Sequence, residues 1–165
     1  MQVRASGRNQ GRIAGYSGTP LPEKLGFKPP MRVVVLGAPP DYARWLGALP
    51  AGVTLEAAAR KPIRAVHAFV TRRSALAALL ARFRRQLEPD GFVWMSWPKK
   101  ASGVTTDVTE DVIREAALPL GFVDIKVCAV SEVWSGLKLV IRKEERVGTT
   151  TRRTDGSARP RIRER

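Results

Sequence analysis

A nearly continuous apolar run, Phe-Val-Trp-Met-Ser-Trp, occupies residues 92–97, and Pro98 follows it directly. A run of this kind is typical of a strand that is covered on both faces of a sheet. Proline has no N–H to donate to a neighbouring strand, so the strand is expected to end there. The pattern therefore predicts a buried central strand over residues 92–97, around which the other predicted elements are arranged.

Five other segments have the pattern of strands. Residues 31–36 contain a β-branched run, residues 53–57 are a weaker candidate, and alternation marks residues 63–70, 122–130 and 134–142. The last two are joined by three residues only, which fits an antiparallel hairpin. Two sets of apolar side chains in this hairpin are expected to point the same way: Val123, Ile125, Val127 and Ala129 on one strand, and Leu137, Leu139 and Ile141 on the other.

Three helices are predicted between the strands. Residues 73–87 carry leucines and a phenylalanine at helical spacing, with arginines on the other side, and a short helix is expected over residues 42–49. Asp107 and Glu110 have the spacing of a capping box, which predicts a third helix over residues 108–118. Each helix follows a predicted strand, as the connections of a parallel sheet do.

The order of these elements predicts one α/β domain of three layers, in which helices cover both faces of a mostly parallel sheet that ends in an antiparallel hairpin. Residues 63–70 and 92–97 are expected to pair in parallel, because a helix connects them. The domain is expected to span residues 16–143. Residues 1–15 and 144–165 are predicted to be flexible basic tails, since they are rich in arginine and poor in large apolar residues.

The net charge of +14 over 165 residues is high, and arginine carries most of it. Such a charge favours contact with polyanions, nucleic acid above all, although basic tails also serve solubility. Cys128 is the single cysteine, so no disulfide forms within the chain, and its place in an alternating strand predicts a small buried side chain. No apolar stretch approaches the roughly 18 residues of a membrane span, and we expect a soluble, cytoplasmic protein.

Few residues are candidates for catalysis or metal binding. His67 is the only histidine and lies within a predicted strand, which favours a satisfied core histidine over a general base. Without a cluster of histidines and cysteines, no transition-metal site is expected. The chain has no Walker loop, no nucleophile elbow and no Ser-His-Asp set in context. No catalytic residue is assigned, and the sequence leaves open whether the protein is an enzyme.

The loops that follow parallel strands converge at one edge of such a sheet, and we expect a ligand site there. Cationic groups, hydroxyls and a helix N-terminus suit a phosphate or a carboxylate. The alternative is a polar loop whose lysines simply face water. The predicted ligand-binding residues are Asp41, Arg72, Trp97, Lys99, Lys100, Ser102, Thr105, Thr106, Asp107 and Trp134.

The succession of a helix, Leu87-Glu-Pro-Asp-Gly-Phe-Val-Trp94, a second helix and a hairpin resembles the second half of the class I S-adenosylmethionine-dependent methyltransferase fold. The resemblance implies a Rossmann-like sheet over roughly residues 31–142. In that family an acidic residue and a Gly-x-Gly turn end the first strand, whereas this chain has Gly37-Ala-Pro-Pro40. Glu56 would stand where the family has its ribose-binding acid. Two consecutive prolines remove two N–H donors, so weak or no binding of S-adenosylmethionine is expected.

A further resemblance is to a bacterial family of conserved hypothetical proteins, a domain of unknown function. It is carried by Gly15-Tyr-Ser-Gly-Thr-Pro-Leu21, Ser96-Trp-Pro-Lys-Lys-Ala-Ser-Gly103 and Trp134-Ser-Gly-Leu-Lys-Leu-Val-Ile-Arg142, which together span nearly the whole domain. The family has no assigned activity. The resemblance therefore implies the extent of the fold and no mechanism.

Three functional hypotheses follow from these observations. The favoured one is a non-catalytic, methyltransferase-like module that binds an anionic small molecule or a protein partner. The second is an S-adenosylmethionine-dependent methyltransferase with an atypical cofactor loop. The third is nonspecific binding of nucleic acid through the basic tails, and it rests on charge alone.

The predicted tails can be tested by limited proteolysis of the whole protein. Segments without buried apolar surface are cut faster than a folded domain, so a protease should trim both ends and leave a fragment of roughly residues 14–143. Mass spectrometry of the fragments measures the two boundaries. Protection of roughly the last fifteen residues would contradict the prediction.

Overall fold

The computed structural model of the protein describes residues 18–58 and 60–146. The predicted tail at residues 1–15, the first two residues of the predicted domain and the chain beyond Arg146 lie outside the described residues. Lys143–Glu145 form a 3-10 turn directly after the last strand. In this turn Glu145 forms an ion pair with Arg84 at 3.7 Å, so packing contacts continue to this point of the chain.

The described residues form a six-stranded sheet in the order β2-β1-β3-β4-β6-β5. The strands are β1 Met31–Leu36, β2 Val53–Glu56, β3 Ile63–Phe69, β4 Leu87–Pro98, β5 Phe122–Ala129 and β6 Trp134–Ile141. The first four pair in parallel, which confirms the parallel pairing predicted for β3 and β4. β6 pairs antiparallel with both β4 and β5, and this confirms the α/β fold with its hairpin.

Helices cover both faces of this sheet. They are α1 Leu21–Lys24, α2 Tyr42–Leu46, α3 Leu76–Gln86 and α4 Glu110–Ala117. Residues of α3 and α4 pack into one apolar cluster, and residues of α1 and α2 pack into another, on the opposite face. Among the helices that the structure describes, none is long and apolar enough to span a membrane.

β4 is enclosed on both faces, as its apolar run predicts. Phe92 and Trp94 belong to the α1/α2 cluster, whereas Val93, Met95 and Trp97 belong to the α3/α4 cluster. Their exposed fractions lie between 0% and 8%. The indole N–H of Trp94 donates to the carbonyl of Leu25 at 2.8 Å and so fastens the segment after α1 to the sheet.

The predicted turn at residues 88–91 lies inside β4 instead of before it. Ile63 pairs with Leu87 and Ala65 pairs with Phe92, so four residues of β4 bulge out opposite Arg64 alone. Gly91 is required at the end of this bulge, because a Cβ there would lie 2.9 Å from the Arg64 carbonyl oxygen. The Arg64 guanidinium holds the bulge through ion pairs to Glu88 and Asp90, each at 3.1 Å.

The prediction that four apolar residues of β5 share one side was wrong. Ile125 and Val127 are 57% and 47% exposed, whereas Phe122 and Cys128 are buried. The cause is a register shift: Asp124 pairs with Leu139 and Lys126 with Lys138, so Ile125 has no cross-strand partner. One unpaired residue reverses the direction of every side chain after it.

The predicted capping box at the start of α4 was also wrong. The N-cap is Thr109, whose hydroxyl accepts a hydrogen bond from the Val112 N–H at 3.2 Å. Asp107 lies two residues before the cap, and its carboxylate accepts a hydrogen bond from the Arg73 N–H at 2.7 Å. Asp107, which the local pattern predicted to be the helix cap, is therefore engaged in a long-range hydrogen bond instead.

Candidate functional site

Three loops meet at the carboxyl edge of the sheet, as the strand order predicts. The Lys99 N–H, after β4, donates to the carbonyl of Val133 in the hairpin link at 2.7 Å. The Thr106 hydroxyl donates to the carbonyl of Thr71, after β3, also at 2.7 Å. Together with the bond from Arg73 to Asp107, these contacts hold the loops in one arrangement.

The loop after β1 joins this edge through close packing. Gly37 has a φ of +68°, and a Cβ there would lie 2.9 Å from the Phe69 carbonyl oxygen, so only glycine fits. The Phe69 ring makes edge-on contacts with Tyr42 and Trp134, with centroid distances of 5.2 and 5.1 Å. His67 stacks on Phe69 at 4.4 Å. We call Tyr42, His67, Phe69 and Trp134 the aromatic cluster.

His67 is a satisfied core histidine, as predicted. Its Nδ1 lies 2.7 Å from the Tyr42 hydroxyl, its Nε2 lies 2.8 Å from the Ser96 hydroxyl, and no part of the residue is exposed. Two hydroxyl groups can satisfy both ring nitrogens in either neutral tautomer. Burial lowers the pKa of His67 to about 3 and raises the pKa of Tyr42, so both side chains are uncharged at neutral pH.

Four of the predicted site residues have their polar groups engaged within the protein. Ser102 donates to the Lys99 carbonyl at 2.6 Å, and Asp41 pairs with Arg44 at 3.2 Å. Thr106 and Asp107 make the bonds between loops described above. The hydroxyls of Ser102 and Thr106 each donate one hydrogen bond and accept another, whereas the exposed carboxylates of Asp41 and Asp107 keep acceptor positions open to solvent.

The two predicted tryptophans lie on opposite faces of the sheet. Trp97 is 8% exposed and packs into the core under α3 and α4. Trp134 is half-buried in the aromatic cluster on the other face, and it follows directly on the hairpin link that binds Lys99. Trp134 is thus the tryptophan whose environment adjoins the lysine loop.

Three cationic residues of the edge have no internal partner in the part of the chain that the structure describes, whereas Arg73 pairs with Glu115 at 3.1 Å. The side chains of Lys99, Lys100 and Arg72 form no hydrogen bond or ion pair with any described residue. Arg72 and Lys100 are exposed, and Lys99 is half-buried. Thr105, also exposed, keeps a hydroxyl available beside them. The carboxyl edge therefore carries three cationic side chains that form no ion pair with a described acid.

Sequence reasoning did not identify the hydroxyl partners of His67. Ser96 is the only polar residue in the run of residues 92–97, and a hydroxyl in a fully buried strand needs a partner. That isolated serine was the available signal. Tyr42 is 25 residues from His67 in sequence, and nothing in the local pattern pairs them.

The comparisons with known proteins agree with this fold. Residues 71–143 match the model of a family described as a protein of unknown function, DUF3052. This stretch begins at the loop after β3 and includes the lysine loop and the hairpin. No curated protein matches the sequence.

Solved structures of low sequence identity are similar to this chain. A protein of Sulfolobus solfataricus assigned as a type 11 methyltransferase has a TM-score of 0.51 and 14% identity, over 76% of this chain and 91% of that one. A ribosomal protein L11 methylase from Lactobacillus delbrueckii subsp. bulgaricus has a TM-score of 0.48 and 16% identity, over 74% and 75%. The first of these shows a methyltransferase-like fold for this chain and nothing more specific.

The buried histidine should make stability depend on pH. The pKa of His67 is lowered from 6.5 in the unfolded chain to about 3 in the folded protein. Between these values the unfolded chain binds a proton that the folded protein does not. The free energy of unfolding should therefore fall as pH falls below about 6.5, by up to about 1.4 kcal/mol per pH unit from this residue.

Urea unfolding of wild type and His67→Gln at several pH values between 7 and 4 tests this prediction. Glutamine can still hydrogen-bond but does not titrate, so the stability gap between the two proteins should narrow as pH falls. Carboxylates contribute equally to both curves and cancel in the difference. Parallel curves would show that His67 titrates normally in the folded protein.

Proposed function

We propose that this protein is a non-catalytic, methyltransferase-like module that binds an anionic small molecule at the carboxyl edge of its sheet. The observation that carries the proposal is the charge of Lys99, Lys100 and Arg72, which form no ion pair with a described acid. In parallel α/β sheets this edge is where ligands bind. Ammonium and guanidinium groups bind phosphate and carboxylate through charge-assisted hydrogen bonds.

The fixed arrangement of the loops supports binding further. Hydrogen bonds of 2.7 Å from Lys99 to Val133, from Thr106 to Thr71 and from Arg73 to Asp107 fix the backbone on both sides of the lysines. A loop that is already ordered loses less conformational entropy when a ligand binds. Only the lysine and arginine side chains would then have to be ordered.

The absence of a catalytic role is part of the proposal. His67 is fully buried, and two hydroxyl groups occupy both of its ring nitrogens, so it has no face open to a substrate. Asp107 is held by the Arg73 N–H and Asp41 by the Arg44 guanidinium. Each carboxylate keeps other lone pairs, but neither is hydrogen-bonded to a described histidine, cysteine or hydroxyl group that it could activate as a general base.

A second candidate is an S-adenosylmethionine-dependent methyltransferase, which the fold favours. Glu56 ends β2, where the methyltransferase resemblance implies a ribose-binding acid, and it lines a surface groove together with Arg32 and Arg60. The loop after β1 does not fit the cofactor. The room that Gly37 leaves is filled by the Phe69 carbonyl, and the two prolines that follow have no N–H to donate.

Nonspecific binding of nucleic acid is the third candidate. The basic tails that motivate it lie outside the described residues. It is distinguished from the first candidate by its dependence on long polyanions and on salt concentration. An anionic protein partner at the carboxyl edge would share the lysine dependence and would differ in the size of the ligand.

Replacing both Lys99 and Lys100 with alanine should abolish anion binding at the carboxyl edge and leave folding nearly unchanged. The loss of two cations from a partly dry site should cost about 2 to 4 kcal/mol of binding free energy, whereas exposed charges contribute under about 1 kcal/mol each to stability. Binding is measured from tryptophan fluorescence, to which Trp134 contributes beside the loop. The probes are nucleotides, sugar phosphates and acyl carboxylates.

The matched control is the Lys61→Ala/Lys143→Ala double variant, which removes the same charge from two exposed positions away from the loop. It should bind as wild type does. Equal responses from wild type and the Lys99/Lys100 variant would show that these lysines are only a solvated loop. A response to long DNA alone, which disappears with added salt, would favour the third candidate.

Calorimetry with S-adenosylmethionine should show weak binding or none, because the loop after β1 lacks the N–H donors and the open approach that the cofactor needs. A dissociation constant near about 1 µM, about −8 kcal/mol, would instead support the methyltransferase function. Glu56→Gln is then the diagnostic variant. It should weaken the binding if the cofactor lies at the ends of β1 and β2.

A further inference from the structure

Two lysines face each other across the hairpin, far from the lysine loop in sequence. In the register of β5 and β6, Lys126 pairs directly with Lys138. Like charges at directly opposite positions of an antiparallel pair destabilise a sheet. The pair lies on the α1 side, because the Lys126 ammonium donates to the carbonyl of Lys24 at 3.2 Å.

Lys138 is held over aromatic rings and has no acid beside it. Its ammonium lies 4.3 Å from the centroid of Phe92 and 5.9 Å from that of Trp94. It forms no hydrogen bond or ion pair within residues 18–58 and 60–146. Burial lowers the pKa of Lys138, and the charges of Lys126 and Lys28 lower it further. A half-buried ammonium therefore meets two other cations and no described carboxylate.

We propose that Lys126 and Lys138 bind a phosphate group on the α1 face of the hairpin. A doubly charged anion would remove the repulsion between the facing lysines, which no described residue does. Lysine binds phosphate as a compact point charge that donates several hydrogen bonds. The apolar surface under Lys138 excludes water from one side of the site, and this strengthens the attraction between opposite charges.

The burial of the two aromatic rings beside Lys138 limits which parts of a ligand the site can contact. Phe92 is 7% exposed and Trp94 is fully buried, so neither ring has a free face on which a base could stack. Recognition is therefore confined to the phosphate itself. The ligand is inorganic phosphate or the phosphate monoester of a small molecule, and both present the same dianion.

The first experiment measures the melting temperature of the full chain in phosphate and in chloride at equal ionic strength and pH. A ligand at ten times its dissociation constant should raise the melting temperature of wild type by about 4 °C. Lys126→Glu places a carboxylate opposite Lys138. This variant should melt higher than wild type in chloride and should lose the response to phosphate.

Lys61→Glu is the matched control, since it changes the net charge equally at an exposed position on the β2–β3 link. It should keep the phosphate response of wild type. Lys138→Met keeps an apolar side chain over Phe92 and should weaken phosphate binding about tenfold or more, measured by phosphorus NMR titration. Because Lys126 is exposed and Lys138 is replaced by a side chain of similar length, both variants should fold.

Separate titrations with inorganic phosphate, adenosine monophosphate and adenosine distinguish the sources of the phosphate. Saturable binding of either phosphate compound, lost in Lys126→Glu and absent for adenosine, supports the site. An unchanged phosphate response in Lys126→Glu, or equal melting of wild type in phosphate and chloride, overturns it. Each measurement is also made with Lys99 and Lys100 replaced by alanine, so that the carboxyl edge does not contribute. The phosphate response should persist in that protein and should be lost when Lys126→Glu is added, so failure at one site is distinguishable from failure at the other.

Discussion

The enclosure of β4 is the constraint on which the rest of the structure depends. Its apolar side chains point to both faces, so helices have to cover both, α1 and α2 on one side and α3 and α4 on the other. The same enclosure removes Ser96 from water, and an unpaired buried hydroxyl costs about 1 to 3 kcal/mol. His67 hydrogen-bonds to the Ser96 hydroxyl through one ring nitrogen and to the Tyr42 hydroxyl through the other. A single buried hydroxyl thus ties together β4, β3 and α2.

Local pattern predicted those elements whose side chains repeat with a regular period. β1 was predicted at its observed bounds, and the hairpin was predicted to within a residue or two at each end. The side of the sheet assigned to Ile125 was wrong because an unpaired residue cannot be recognised in the sequence. The apolar residues still alternate along the chain, but those after the bulge point to the opposite face of the sheet. The cap of α4 was misplaced because Asp107 and Thr109 are both good capping residues. The choice between them is made by Arg73, 34 residues away from Asp107.

The sequence predicted which loops meet at the carboxyl edge and did not predict which of their polar groups stay available. The ends of parallel strands fix which loops meet, and the contacts among Thr71, Lys99, Thr106 and Val133 confirm that meeting. Which polar groups stay available depends on bonds between distant parts of the chain. Bonds of that kind engage Thr106 and Asp107, whereas Ser102 and Asp41 have partners three residues away. Lys99, Lys100 and Arg72 are left without a partner among the described residues. A ligand at this loop would therefore contact the charged side chains of Lys99 and Lys100 on a backbone that hydrogen bonds hold in place.

The extra residue in β5 has a consequence for how the molecule behaves among its own copies. β5 is an outer strand of the sheet, and an outer strand presents a row of unsatisfied backbone groups to any other extended chain. At Ile125 the spacing of that row is broken. A strand added from another molecule could keep its hydrogen-bond register with only half the length of β5, because the register is interrupted at the bulge. The bulge therefore limits the growth of intermolecular sheets from this border of the described fold, where Ile125 and Val127 are exposed.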